Sequence, residues 1–399
     1  MACNAAVRRL NNNDMISFQR LQHIAFSGSS SEESIRERIE KGEYSRDEYW
    51  GAVDGAGNVQ SGMVIYQYLQ YLDGHKASMA GVGGVASLPE IRRTGFIRKI
   101  FQNVFADCRE RGTVLSYLYP FSHAYYKQFG YANCGFAFTY TLPTGAARKI
   151  ETAGSVCEFK KDETEIKNKL SKVYEAHASR HNLMLCHDTV HFENFFEIEH
   201  LSPVHIYYWK NEADEIRSWV KYKKDGDKIF VEYIAWEDHE AMMGILQFLG
   251  MFEGAAGSIC MNVKCSPEFL PELIWTDLYH ISSERKCLGM ARIMDAKAAL
   301  GMMRAPCGEG KFTVRVTDKY ADWNSGTYSV EFGGGQSRVS ISSAEPDVDV
   351  TEEALAQLVF GVFDFATAEK YIKDIKVGGN RETLSKVFVK KQLLLNDYF

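Results

Sequence analysis

The sequence has little proline, 8 in 399 residues, and no apolar run long enough to cross a bilayer. Its first residues, MACNAAVRRLNNND, lack the apolar core of a signal peptide. The nine cysteines are scattered from Cys3 to Cys307 without a CxxC pair. A disulfide scaffold is thereby excluded, and the expectation is a reduced, cytoplasmic protein whose thiols are buried. Catalytic signatures are also missing. The chain has no Gly-Lys-Ser/Thr of a Walker A loop, no G-x-G-x-x-G between strand and helix, no HExxH and no G-x-S-x-G. His177, His181, His187 and His191 include four-residue spacings, but without a carboxylate partner motif no metal is expected. A net charge of −6 gives no basic face for nucleic acid.

What is present is concentrated in Gly81–Gly112, GVGGVASLPEIRRTGFIRKIFQNVFADCRERG. Residues up to Leu88 have the small and β-branched content of a buried strand, and Pro89 ends that pattern by removing a backbone donor. From Glu90 onward, Ile91, Ile97, Ile100, Phe101, Val104 and Phe105 recur at mostly helical spacing. Arg92-Arg93-Thr94-Gly95 sits at the junction. A strand, a basic turn and a helix start gather unpaired N–H groups and a positive helix end in one place, which suits a diphosphate.

The pattern R-x-x-G after a Val-rich strand resembles the pyrophosphate turn of the GCN5-related N-acetyltransferases. VASLPEIRRTGFIRKIF followed by LSYLYPFSHAYYKQFGY resembles more narrowly the "enhanced intracellular survival" (Eis) acetyltransferases, in which a branched apolar residue stands at the position of Ile97. The resemblance implies an α/β (α+β) chain of tandem acetyltransferase folds, the second degenerate, ending in a sterol-carrier-like domain. The expected boundaries are 1–145, 146–285 and 286–399. It implies acetyl-CoA as co-substrate and a primary amine on an aminoglycoside, polyamine or lysine-type molecule as acceptor. No metal, nucleic acid or membrane is implied, and a homo-oligomer, possibly a hexamer, is.

Residue by residue, the resemblance implies that Arg92, Arg93, Thr94, Gly95, Phe96 and Ile97 hold the pyrophosphate through main-chain donors. Val85 would meet the thioester carbonyl, and Ser87 would flank the pantetheine arm. Tyr126, four residues before Gly130, matches the family's general acid, with Tyr125 and Tyr131 as packing. A phenol of ordinary pKa near ~10 keeps a proton for a departing thiolate. The sequence ends in Leu395-Asn396-Asp397-Tyr398-Phe399, and the α-carboxylate of Phe399 corresponds to the family's general base. Tyr119, where the family usually has histidine, and Phe121 would line the acceptor mouth. Phe26, Ile35 and Ile39 read either as one wall of the acceptor pocket or as core packing.

The rest of the chain reads as helices at Met15–Phe26 and from Ser31 through Glu40, then strands at Glu48–Val53, Val59–Tyr68 and Ala77–Ala86. Pro143 to Ala147 reads as a linker. A second α/β region extends to Arg285 without any RxxG turn, and alternating strands then helices follow from about Cys287. A different class of function, an apolar-ligand carrier built on the last region, is distinguished from acetyl transfer by cofactor turnover.

Overall fold

The computed structural model describes residues 5–187, 195–199, 201–261, 269, 271–306 and 308–394. The first region holds β1 (Ala6–Arg9), α1 (Met15–Phe26), α2 (Glu32–Glu40), β2 (Glu48–Val53), β3 (Val59–Leu72), β4 (His75–Ser87), α3 (Phe96–Glu110), β5 (Leu115–Leu118), α4 (His123–Lys127) and β6 (Ala132–Pro143). The second holds α5 (Thr144–Arg148), β7 (Ser155–Glu158), α6 (Thr164–Ala178), β8 (Val204–Lys210), β9 (Ile216–Asp225), β10 (Lys228–Trp236), α7 (His239–Gly250), β11 (Ser258–Met261) and α8 (Pro271–Ile274). The third follows with β12 (Ser282–Ile293), α9 (Ala296–Met302), β13 (Gly310–Thr317), β14 (Gly326–Gly333), β15 (Gln336–Ile341), β16 (Val348–Thr351), α10 (Glu352–Phe360), α11 (Phe365–Tyr371), β17 (Lys376–Val377) and α12 (Arg381–Val387).

Local chemistry explains the element ends. The Ser31 hydroxyl accepts from the Ser34 N–H and caps α2, while Asp73-Gly74, both at positive φ, turn β3 back into β4. On α3 the residues Ile97, Ile100, Phe101, Val104, Phe105 and Cys108 are buried at three- and four-residue steps, so one stripe faces the sheet.

The turn expected at Arg92–Gly95 separates strand and helix: Pro89–Ile91 forms a single 3-10 turn, Arg92 is extended, Arg93 and Gly95 have positive φ, and α3 begins at Phe96. Helical spacing extended the pattern back to Ile91, which is buried by the short turn instead. Pro143 to Ala147 is not a linker. Its last four residues open α5, pinned by the Thr144 hydroxyl donating to the Ala256 carbonyl (2.6 Å) and by burial of Ala147.

The large sheet runs β1-β2-β3-β4-β5-β12-β6-β11-β10-β9-β8-β7, and a second sheet runs β15-β14-β13-β16-β17. Strand β12 crosses the expected boundary at 285 and 286 and lies between β5 and β6, antiparallel to both. One apolar core consequently joins Leu115, Tyr117 and Ile293 of the large sheet to Phe312, Val350 and Leu358 of the third region. The chain is tied again at the β3–β4 turn. There Lys391 Nζ reaches Asp73 Oδ2 (2.6 Å), and the Asp73 N–H donates to Asn182 Oδ1 (2.6 Å).

His177 is fully buried, its ring 4.6 Å from that of Trp236 and 4.7 Å from that of His181. Burial, then the neighbouring His181 and Arg180, hold it well below the usual histidine range. The unfolded chain regains an ordinary value of about 6.5 and takes up a proton that the folded chain refuses. Stability is therefore expected to fall as pH drops below about 6.5, by up to roughly 1.4 kcal/mol per pH unit from this group. Melting curves at pH 7 and pH 5 check this. His177→Gln should lose less melting temperature over that interval than the parent.

Candidate active site

Two strands part company at the centre of the first region. The parallel pairing of β4 with β5 stops at Val82 opposite Leu118, leaving Gly83–Ser87 paired with β3 alone. In that stretch the register slips, so that Gly84 and Val85 stand opposite the single residue Met63. This is a β-bulge, which leaves a residue of its strand out of the ladder and bends the strand. Gly84 has φ 57°, and its carbonyl accepts from the Gln22 amide of α1 (2.7 Å). Ser87 is held by a hydroxyl–hydroxyl contact with Ser61 (2.8 Å).

Beyond β4 the chain makes the turn that aims α3. The Leu88 N–H closes on the Gln60 carbonyl (3.0 Å), and Thr94 donates through both its N–H (3.4 Å) and its hydroxyl (2.7 Å) to the Ile91 carbonyl. The first bond of α3 is Lys99 N–H to the Gly95 carbonyl (3.1 Å), and no side chain caps the helix. The N–H groups of residues 95–98 thus have no acceptor on their own helix. Gly95 sits at φ 90°, and a Cβ there would meet nothing within 4 Å, so the space before the helix end is open. A side-chain-bearing residue would resist that backbone and fill that space.

A cavity of about 730 Å³ lies over this helix end, lined by Val85, Ala86, Ser87 and residues 91–98 on one side. Arg92, Arg93 and Arg98 line it, and none of its described lining residues is acidic. Uncapped N–H groups, a positive helix end and three guanidinium groups fit a diphosphate-bearing ligand.

The other wall is aromatic: Phe26 and Ala25 from the end of α1, then Phe121, Tyr125 and Phe129. Phe26 is 59% and Phe121 71% exposed, so they form the mouth. Ser122 caps α4 by accepting from the Tyr125 N–H (3.3 Å). Tyr125 is thus a cavity-wall residue as well as a packing one. Tyr126 is not among the lining residues. It is buried, edge-on to Tyr125 (5.2 Å), Phe121 (5.3 Å) and Phe101 (6.4 Å). Burial, with Tyr125 and Tyr131 beside it, pushes its phenol well above the ordinary tyrosine value, so it holds its proton at neutral pH.

All eight residues expected to hold the cofactor line this one cavity, and so do Phe26 and Phe121. Tyr119 packs instead against Tyr117, edge-on at 5.6 Å. Phe399 lies outside the described residues, as does His191. Sequence reasoning missed Arg98, Gln128 and Phe129. Arg98 was findable as the residue one helical turn past Gly95, whereas Gln128 and Phe129 are brought in by folding. Among the described residues no group of three potential metal ligands occurs, and no helix is long and apolar enough to cross a membrane.

Residues 6–134 match the family model for the acetyltransferase (GNAT) domain, and residues 296–394 that for the sterol carrier protein domain. Several solved structures share the fold over 99% of this chain and 100% of theirs. One is a conserved protein of unknown function from Enterococcus faecalis V583, described as a probable N-acyltransferase (21% identity, TM-score 0.85). Others are a GCN5-related N-acetyltransferase from Kribbella flavida (20%, 0.81) and Eis1 from Mycobacterium abscessus (19%, 0.79). No curated protein matches the chain.

Proposed function

From a chain that carries a GNAT acetyltransferase domain followed by a sterol carrier protein domain, in the Eis-like architecture, we propose transfer of an acetyl group from acetyl-CoA to a primary amine. The observation that carries the reading is the uncapped start of α3 facing an arginine-lined cavity where β4 and β5 separate. The amine-bearing acceptor is of the aminoglycoside, polyamine or lysine type.

The roles follow from what acyl transfer demands. The N–H groups of residues 95–98 hold the diphosphate, with Arg92 and Arg93 neutralising it. Val85, in the bulge of β4, offers its N–H to the thioester carbonyl, whose oxygen gains charge as the amine attacks and a tetrahedral intermediate forms. Tyr126 gives its proton to the leaving thiolate. The α-carboxylate of Phe399 takes the proton of the attacking amine, directly or through a water. An exposed terminal carboxylate has a pKa of about 3.3–3.7, too low for this task, and removal from water raises it.

The described part of the tail supports that last role. Asn182 and Leu393 pair in parallel, and residues 182–186 run antiparallel to β3, back toward the level at which β4 and β5 separate. Leu394 is fully buried on that path, in one core with Tyr71 and Met184. Five more residues span up to about 17 Å when extended.

A thiol-release assay with acetyl-CoA and a panel of amines tests the reading. Free CoA should appear only when an amine is present, and no release with any amine would remove the proposal. Arg92→Ala/Arg93→Ala should raise the KM for acetyl-CoA about tenfold or more, from loss of charged hydrogen bonds, with a smaller change in kcat.

A further inference from the structure

The turn that carries Tyr126 is held by a buried arginine far along the chain. Arg292 lies on β12 opposite Ser116 of β5, and its side chain is fully buried. One guanidinium nitrogen, Nη2, donates to both oxygens of Asp318 (2.6 and 2.7 Å). The other, Nη1, donates to the Phe129 carbonyl (2.7 Å), and the group stacks over the Phe105 ring at 4.7 Å. Asp318, just after β13, is itself oriented by the N–H groups of Tyr320 (3.0 Å) and Ala321 (2.9 Å).

We propose that Arg292 is a positioning residue for acetyl transfer, locking the Tyr126-bearing turn to the C-terminal domain. The inference rests on the reading of Tyr126 as proton donor. The link is short: the Phe129 N–H donates to the Tyr126 carbonyl (3.0 Å), and the Phe129 carbonyl is the acceptor for Arg292. Phe129 also stacks on Phe101 of α3 at 4.4 Å and lines the cavity, so the turn is clamped between α3 and the third region. Gly130 shows how close the clamp lies. A Cβ there would fall 1.7 Å from Arg292 Nη1, and its φ is 78°. Two further contacts bind the same turn to that region. Tyr320 packs against Phe129 (5.6 Å), and Lys127 pairs with Glu353 at the start of α10 (3.1 Å).

A role in stability alone does not account for this choice of residue. A buried ion pair is often no more stabilising than apolar side chains of the same size. What the guanidinium supplies is a directed donor to one carbonyl. The C-terminal domain thus serves the chemistry of the first domain by aiming its proton donor.

The test uses the full chain, with Arg292→Lys and the paired change Arg292→Met/Asp318→Asn, which removes the Asp318 carboxylate together with its partner. Each is made alone and with Tyr126→Phe, and kcat, KM for acetyl-CoA and melting temperature are measured. Displacing a catalytic group by about 1 Å costs up to roughly 10²-fold. The expected result is a kcat lower by about tenfold to 10²-fold, with KM changed less than about threefold. Tyr126→Phe should then cost much less in the Arg292 background than in the parent, because both changes remove the same proton transfer. Losses that simply multiply, or a folded variant with unchanged kcat, would overturn the inference. If Tyr126→Phe leaves the parent's kcat unchanged, the acid assignment itself goes, and the inference with it. Should the paired variant fail to fold, Arg292→Lys carries the same comparison.

Discussion

Tyr126→Phe is expected to lower kcat by about 10²–10⁴-fold while the KM for acetyl-CoA stays within about threefold. The change removes one hydroxyl and keeps a ring whose edge-on contacts with Phe101, Phe121 and Tyr125 fill the space beside α4. The turn at residues 92–98, proposed to hold the pyrophosphate, is untouched, so cofactor binding should persist. Burial raises the phenol's pKa, so the group is protonated across neutral and mildly alkaline pH. Tyr125 is the control, since it lines the cavity and carries the same group. Tyr125→Phe should cost less than about fivefold in kcat if Tyr126 is the donor. A reversed order in steady-state assays would hand the role to Tyr125.

A tag appended after Phe399, or deletion of that residue, is expected to abolish turnover, by about 10²-fold or more, in a protein that melts normally. Extension converts the α-carboxylate into a neutral amide that takes no proton, and deletion moves the carboxylate by one residue. Neither touches Lys391, which pairs with Asp73, or Leu393 and Leu394, which are buried. The fold should survive for that reason. The same tag at the N-terminus serves as control. Full activity in a C-terminally tagged enzyme would dismiss the carboxylate and leave the proposed cofactor site as it is.

The turn between β4 and α3 was legible because its parts are neighbours along the chain. Val85 to Ile97 form strand, turn and helix start in one run, and residues 92–97 line the cavity together. The bounds of α1 were legible for the same reason, since Met15, Phe18 and Leu21 are buried at three-residue steps. Helical spacing ran back to Ile91, ahead of the turn, because periodicity registers Ile91 but not the positive φ of Arg93 and Gly95.

Residue order along the chain thus settled the class of fold and the turn between β4 and α3, because a period, a cap or a glycine acts on residues a few places away. It did not reveal that β12 inserts between β5 and β6, that Phe129 and Gln128 close the cleft, or that Arg292 joins Phe129 to Asp318. Those depend on which strands lie side by side. Strand order brings residues more than a hundred places apart into contact, and no local pattern of hydrophobicity or charge encodes it.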